Sequence, residues 1–135
     1  MALRQPILVT ANKKPKPKKG AKRILTAFTY SLSGLSHAIK NEAAFRQELM
    51  LLAPLTIAAL LLPFDLPVKV LLVTSHIAIL IVELLNSAIE AVVDKASPEL
   101  HDLAKQAKDM GSAAVLLSFL ILSIFWAYAI TDTFV

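Results

Sequence analysis

Glu83, Asn86 and Glu90 stand at i, i+3 and i+7, a spacing that sets two carboxylates and an amide on one face of a helix. Ser87 and Asp94 extend that polar face. The residues around them are apolar, so these groups interrupt a stretch that otherwise reads as buried. A charge at the centre of a bilayer costs ~2.5–3.5 kcal/mol on insertion scales. Such a residue is expected to face a bundle interior, a partner charge or a metal ion, and by default it marks function. Glu42, Lys108 and Asp109 are further charged groups near the ends of long apolar runs. Oxygen ligands with no cysteine favour magnesium with phosphate over zinc. The absence of cysteine also excludes thiol catalysis and a disulfide framework.

The elements that must position these groups are membrane spans. Of 135 residues, 56% are hydrophobic and only 18% charged, where a soluble domain has about a quarter charged. Met110 to Thr131 carries no charge at all. As a helix that run measures about 33 Å, enough to cross a hydrocarbon core. The chain holds too little other protein to bury it. Leu49 to Phe64 is a shorter uncharged run, and the apolar pattern from Val70 continues through Val93 once Glu83 and Glu90 are admitted. Pro63-Phe64-Asp65-Leu66-Pro67 lies between them and predicts a tight reversal, hence a helical hairpin. Pro54 is expected to bend its span without ending it. The fold predicted is an all-α membrane protein with spans at about 45–64, 67–93 and 110–131.

Eight of the fourteen lysines and arginines lie in the first 23 residues. By the positive-inside rule this places the N-terminus in the cytosol, returns the segment 94–109 to the cytosol and leaves Val135 outside. The first residues lack the apolar core of a cleaved signal. Residues 1–20, rich in lysine and proline, read as a disordered basic tail that secures topology or meets anionic lipid. From 21 to 40, Ile24, Phe28, Leu32, Leu35 and Ile39 recur at helical spacing beside Lys22, Arg23, His37 and Lys40, as in an amphipathic helix at a membrane surface. Ser97 and Pro98 read as the cap and first turn of a helix running into the third span. His76, near mid-membrane, reads as a structural polar contact.

A core of ~30 Å takes about 20 helical residues. Counting inward from the reversal and from Thr131 places Glu42, Glu90, Lys108 and Asp109 in one layer at the cytosolic interface, with Glu83 a few residues deeper. This layer is suited to a divalent ion held by Glu42 and Glu90 with Lys108 nearby. There is no Walker or kinase glycine loop, and the three glycines are Gly20, Gly34 and Gly111. Residue chemistry therefore reaches an acidic, metal-capable site at a membrane surface and does not by itself specify a kinase.

Three segments go further. Asn41 to Glu48 (NEAAFRQE), Val82 to Asp94 (VELLNSAIEAVVD) and Ala107 to Val115 (AKDMGSAAV) closely resemble the prokaryotic diacylglycerol kinase family in order and spacing, over roughly Lys22 to the C-terminus. The resemblance implies a homotrimer of three-span subunits in the bacterial inner membrane, with active sites shared between subunits, transferring the γ-phosphate of MgATP to diacylglycerol. It implies Glu83 as the general base, supported by Asn86, and Glu42 and Glu90 as ligands of Mg2+. It implies nucleotide contacts at Arg23, Tyr30, Glu42, Glu90, Glu99, Leu100, His101, Lys108 and Asp109. On the lipid side it implies Arg23, Ala27, Phe28, Thr29, Tyr30, Ser31, Leu32, Ala44, Phe45, Arg46, Gln47, Glu48, Glu83 and Ser112. Leu32 departs from the tryptophan common in the family, and the lysine-rich extension before Ala21 lies outside its usual pattern. Two other readings stay open at this point: an undecaprenol kinase working by the same scheme, and a small oligomeric proton or ion channel lined by the polar stripe.

Overall fold

The computed structural model describes residues 20–97 and 101–135. The disordered tail expected over residues 1–20 lies almost wholly outside them, as do Pro98, Glu99 and Leu100. The described residues form four α-helices and no strand: α1 (Ala21–Asn41), α2 (Ala43–Leu61), α3 (Leu66–Ala96) and α4 (Asp102–Phe134). The last three are long and apolar enough to cross a membrane.

The chain divides between Gly34 and Leu35 into two units. In the first, Gly20 opens α1 at a positive φ of 63°, a backbone state natural to glycine. Thr26 and Ser31 return their hydroxyls to carbonyls four residues back, those of Lys22 and Ala27. Thr29 donates to the carbonyl of Thr26, three residues back. The apolar residues Ile24, Phe28 and Leu32 are exposed, as the amphipathic reading requires of a helix meant for a lipid surface.

The second unit holds the spans. α2 follows the end of α1 after a single extended residue, Glu42 (φ −94°, ψ 114°). Arg46 bonds back across this break, its Nη1 donating to the Lys40 carbonyl at 3.1 Å. Pro54 sits inside α2, which nonetheless runs on to Leu61. The predicted reversal occupies residues 62–65, and Pro67 lies in the first turn of α3, where its missing N–H leaves no bond unmade.

α3 packs against both α2 and α4. At the hairpin end Ala59, Phe64, Val68, Leu72 and Ala129 form one cluster, with Phe64 edge-on to Trp126 at 6.0 Å. One layer deeper Leu52, Ile79 and Leu122 form a second. Between them His76 is buried, with Thr56 Oγ1 2.8 Å from its Nδ1 and Trp126 Nε1 donating to its Nε2 at 3.2 Å. The structural reading of His76 thus becomes specific: it ties together all three spans.

The helix entering the third span starts later than the sequence reading has it. Ser97 closes α3, its N–H bonded to the Val93 carbonyl, and Pro98 lies outside the described residues. α4 begins at Asp102, capped by His101, whose Nδ1 accepts from the Leu103 N–H at 3.2 Å. Histidine is a rare cap, so the Ser-Pro pair was the louder signal.

Candidate active site

Three features of α2 and α3 build a polar cavity. Glu42, extended between two helices, does not cap α2 with its carboxylate, which is left to line the cavity instead. Glu48 lies six residues further, about 9 Å deeper along α2. On the antiparallel α3, Glu90 and Glu83 are separated by about 10 Å in the same sense. The four carboxylates therefore form two levels. Glu42 and Glu90 are half-buried, whereas Glu48 and Glu83 are 8% and 3% exposed. All four line one cavity of about 300 Å³, together with Ala44, Asn86, Ser87, Ser112 and Val115.

Asn86 stands between the levels. Its Nδ2 donates to Glu90 Oε1 at 3.3 Å, and with Ser87 it is a polar neighbour of Glu83. An ionised carboxylate only accepts, so Glu90 takes the NH2 side of this amide. Asn86 Oδ1 and Glu48 Oε2 are buried without a hydrogen-bond partner. A buried, unpaired carboxylate oxygen beside an open cavity is positioned to accept a proton donor from outside the chain.

The outer pair suits magnesium. Mg2+ is held through one or two carboxylates plus substrate phosphates and water, rather than by an all-protein cage. Glu42 and Glu90 could supply such a pair, and among the described residues no three ligating side chains gather at one point, here or elsewhere.

Of the four groups counted into one layer, Glu42 and Glu90 line this cavity, together with Glu83 and Ser112. Lys108 and Asp109 do not line the cavity. Lys108 Nζ donates to Asp94 Oδ1 at 3.0 Å, and Asp109 accepts from Lys105 one turn back. On charge alone, Glu48 went unnoticed, because it sits just before the uncharged run and is the fourth carboxylate only once α2 is placed against α3.

With this geometry established, comparison with known proteins is decisive. The description of the prokaryotic diacylglycerol kinase family matches residues 29–130. The chain belongs to the prokaryotic diacylglycerol kinase family. It is 46% identical over 115 residues to a diacylglycerol kinase of Escherichia coli (strain K12), covering 85% of this chain and 94% of that one. To the diacylglycerol kinase of Pseudomonas aeruginosa it is 47% identical over 112 residues, 83% and 91% of the two chains. A Helicobacter pylori diacylglycerol kinase is 40% identical over 112 residues, 83% and 88%.

The family positions distribute unevenly over the structure. Of the lipid-side set in α2, Ala44 and Glu48 line the cavity, Phe45 is buried beside them in sequence, and Arg46 is turned back to the end of α1. His101 serves as the α4 cap. Arg23, Ala27, Phe28, Thr29, Tyr30, Ser31 and Leu32 all belong to the first unit. Glu99 and Leu100 lie outside the described residues.

Proposed function

We propose that this protein phosphorylates diacylglycerol to phosphatidate with ATP, at the cytosolic face of the bacterial inner membrane. The observation that carries the reading is the two-level cavity of Glu42, Glu90, Glu48 and Glu83 in a chain of this family. Diacylglycerol keeps its hydroxyl at the headgroups while ATP stays in water, so a catalyst joining them works at an interface and needs positioning, charge neutralisation and a base.

In this scheme Glu83 on the buried level removes the proton from the lipid hydroxyl. The freed oxygen bonds to the γ-phosphorus as the bond to the β-bridging oxygen breaks, giving phosphatidate and ADP. Glu42 and Glu90 on the outer level hold Mg2+, which when bound neutralises the charge of the phosphates. Asn86 orients Glu90 and faces Glu83. The ~10 Å between the levels is spanned by the extended triphosphate. Lys108 and Asp109, with His101, Glu99 and Leu100 nearby in the chain, contact the nucleotide, as do Arg23 and Tyr30; Ser112 and the α1 and α2 positions named above contact the lipid. The subunits assemble as a homotrimer with shared sites.

The relatives' names favour diacylglycerol over undecaprenol and a kinase over a channel. Incubation of the purified protein in mixed micelles with labelled ATP and either lipid is expected to label diacylglycerol. Glu83→Gln is expected to abolish that product while the trimer persists. Retained turnover dismisses Glu83 as the base, and conductance without any lipid product returns the channel.

A further inference from the structure

Gly111 lies on α4, buried, opposite Asn86 on α3. A methyl group built at Gly111 collides with Asn86 Oδ1 and comes within 3.3 Å of its Cγ, while the Asn86 Cα stays 3.9 Å away. The collision is thus with the far end of a side chain, not with the neighbouring backbone. The orientation of that side chain is already fixed from the other side. Its NH2 group serves Glu90 and faces Glu83, which leaves Oδ1 pointed at α4. Only a residue without a Cβ gives Oδ1 room there.

We propose that Gly111 is a positioning residue for the site: its bare backbone lets the Asn86 amide keep its NH2 toward Glu90 and its oxygen toward α4. The proposal rests on the kinase reading for its consequence in turnover, but the contact itself does not. A methyl at this position finds the amide rotation its easiest relief, because rotating one χ2 moves less than parting two packed helices. The Glu90 carboxylate then loses its donor and its aim while the bundle survives. Gly34 offers the contrast, since a Cβ there meets nothing within 4 Å.

The test is a double-mutant cycle of Gly111→Ala and Asn86→Ala, with Gly34→Ala as the control. Four readouts apply: kcat, binding of Mn2+ in the presence of ATP by EPR, Tm, and the side-chain 15N–1H signals of asparagine-labelled protein. The three asparagines are Asn12, Asn41 and Asn86, so the Asn86 pair is assigned by its loss in the alanine variant. Gly111→Ala, like Asn86→Ala, is expected to lower kcat and weaken Mn2+ binding by about tenfold or more, and on its own to shift the Asn86 amide signals and leave Tm close to wild type. In the Asn86→Ala background Gly111→Ala is expected to add nothing. Unmoved Asn86 signals, or an equal loss in both backgrounds, overturn the proposal. Should Gly111→Ala not assemble, recovery of assembly in the double variant supports the contact and failure to recover overturns it. A wild-type protein that phosphorylates no lipid refutes the kinase reading alone, since the amide signals and Tm still report on the contact.

Discussion

Glu48 and Glu83 present the same side chain to the same cavity, yet only one of them is legible from spacing. Glu83 declares itself by interrupting a long apolar helix with Asn86 and Glu90 on its face. Glu48 stands one residue before an uncharged run and resembles any charge at the mouth of a span. Its burial follows from the packing of α2 on α3, a tertiary fact. Two buried carboxylates at one level repel each other, and Glu48 Oε2 has no donor to offset its desolvation. Removing one of the charges relieves about 1 kcal/mol or more by the usual cost of an unsatisfied buried group. Glu48→Gln is therefore expected to raise Tm by a few degrees. The same change exchanges one carboxylate oxygen for an NH2 group on the proposed lipid side of the cavity, so the apparent KM for diacylglycerol is expected to rise several-fold with a smaller change in kcat. Thermal unfolding and lipid titration of one preparation check both. A lower Tm would mean that the carboxylate has a partner worth keeping.

At the scale of elements, patterns local in the chain were readable and contacts between distant segments were not. α4 follows from 22 uncharged residues and the hairpin from two prolines flanking Asp65. The helix entering the third span begins at Asp102 under a His101 cap, a residue that cap propensity does not single out, so the Ser97-Pro98 signal drew the eye upstream. The Thr56–His76–Trp126 link joins residues 20 and 50 apart, which no periodicity encodes. Its hydrogen bonds assign the tautomer. Trp126 donates to Nε2, so Nδ1 carries the proton and donates to Thr56 Oγ1, whose own proton goes to the Leu52 carbonyl at 2.8 Å. Every group in this chain is satisfied within a neutral network. Trp126→Phe keeps most of the ring packing on Phe64 but strands Nε2, and is expected to destabilise the bundle by about 0.6–2 kcal/mol, the range for hydrogen bonds between membrane helices. Unfolding in mixed micelles by SDS measures this. Thr56→Val in the same background is expected to cost less than it does alone, because the network is already broken.

For the whole molecule, helix length fixes where chemistry can take place. α2 has 19 residues, about 29 Å, and matches one hydrocarbon core. α3 and α4, with 31 and 33 residues, measure about 46 and 50 Å and overshoot it by some 15–20 Å. The four-residue reversal pins α2 and the start of α3 to one membrane face, so the surplus of α3 must emerge at the other. That end carries Glu90, Asp94 and Lys95, and α2 brings Glu42 to it. The cavity thus sits where a helix pair leaves lipid for water, with its buried level inside the core and its outer level at the headgroups. In the proposed orientation, with the basic N-terminus in the cytosol, this end faces ATP. The protein has no cysteine, so single cysteines report topology against a clean background. In sealed right-side-out vesicles, an impermeant thiol reagent is expected to label Asp65→Cys directly. Asn41→Cys and Lys95→Cys are expected to react only after the vesicles are opened. Labelling of Asn41→Cys and Lys95→Cys from opposite sides would place Glu42 and Glu90 across the bilayer from each other. No single phosphate could then reach both, and the proposed site would fail with the topology.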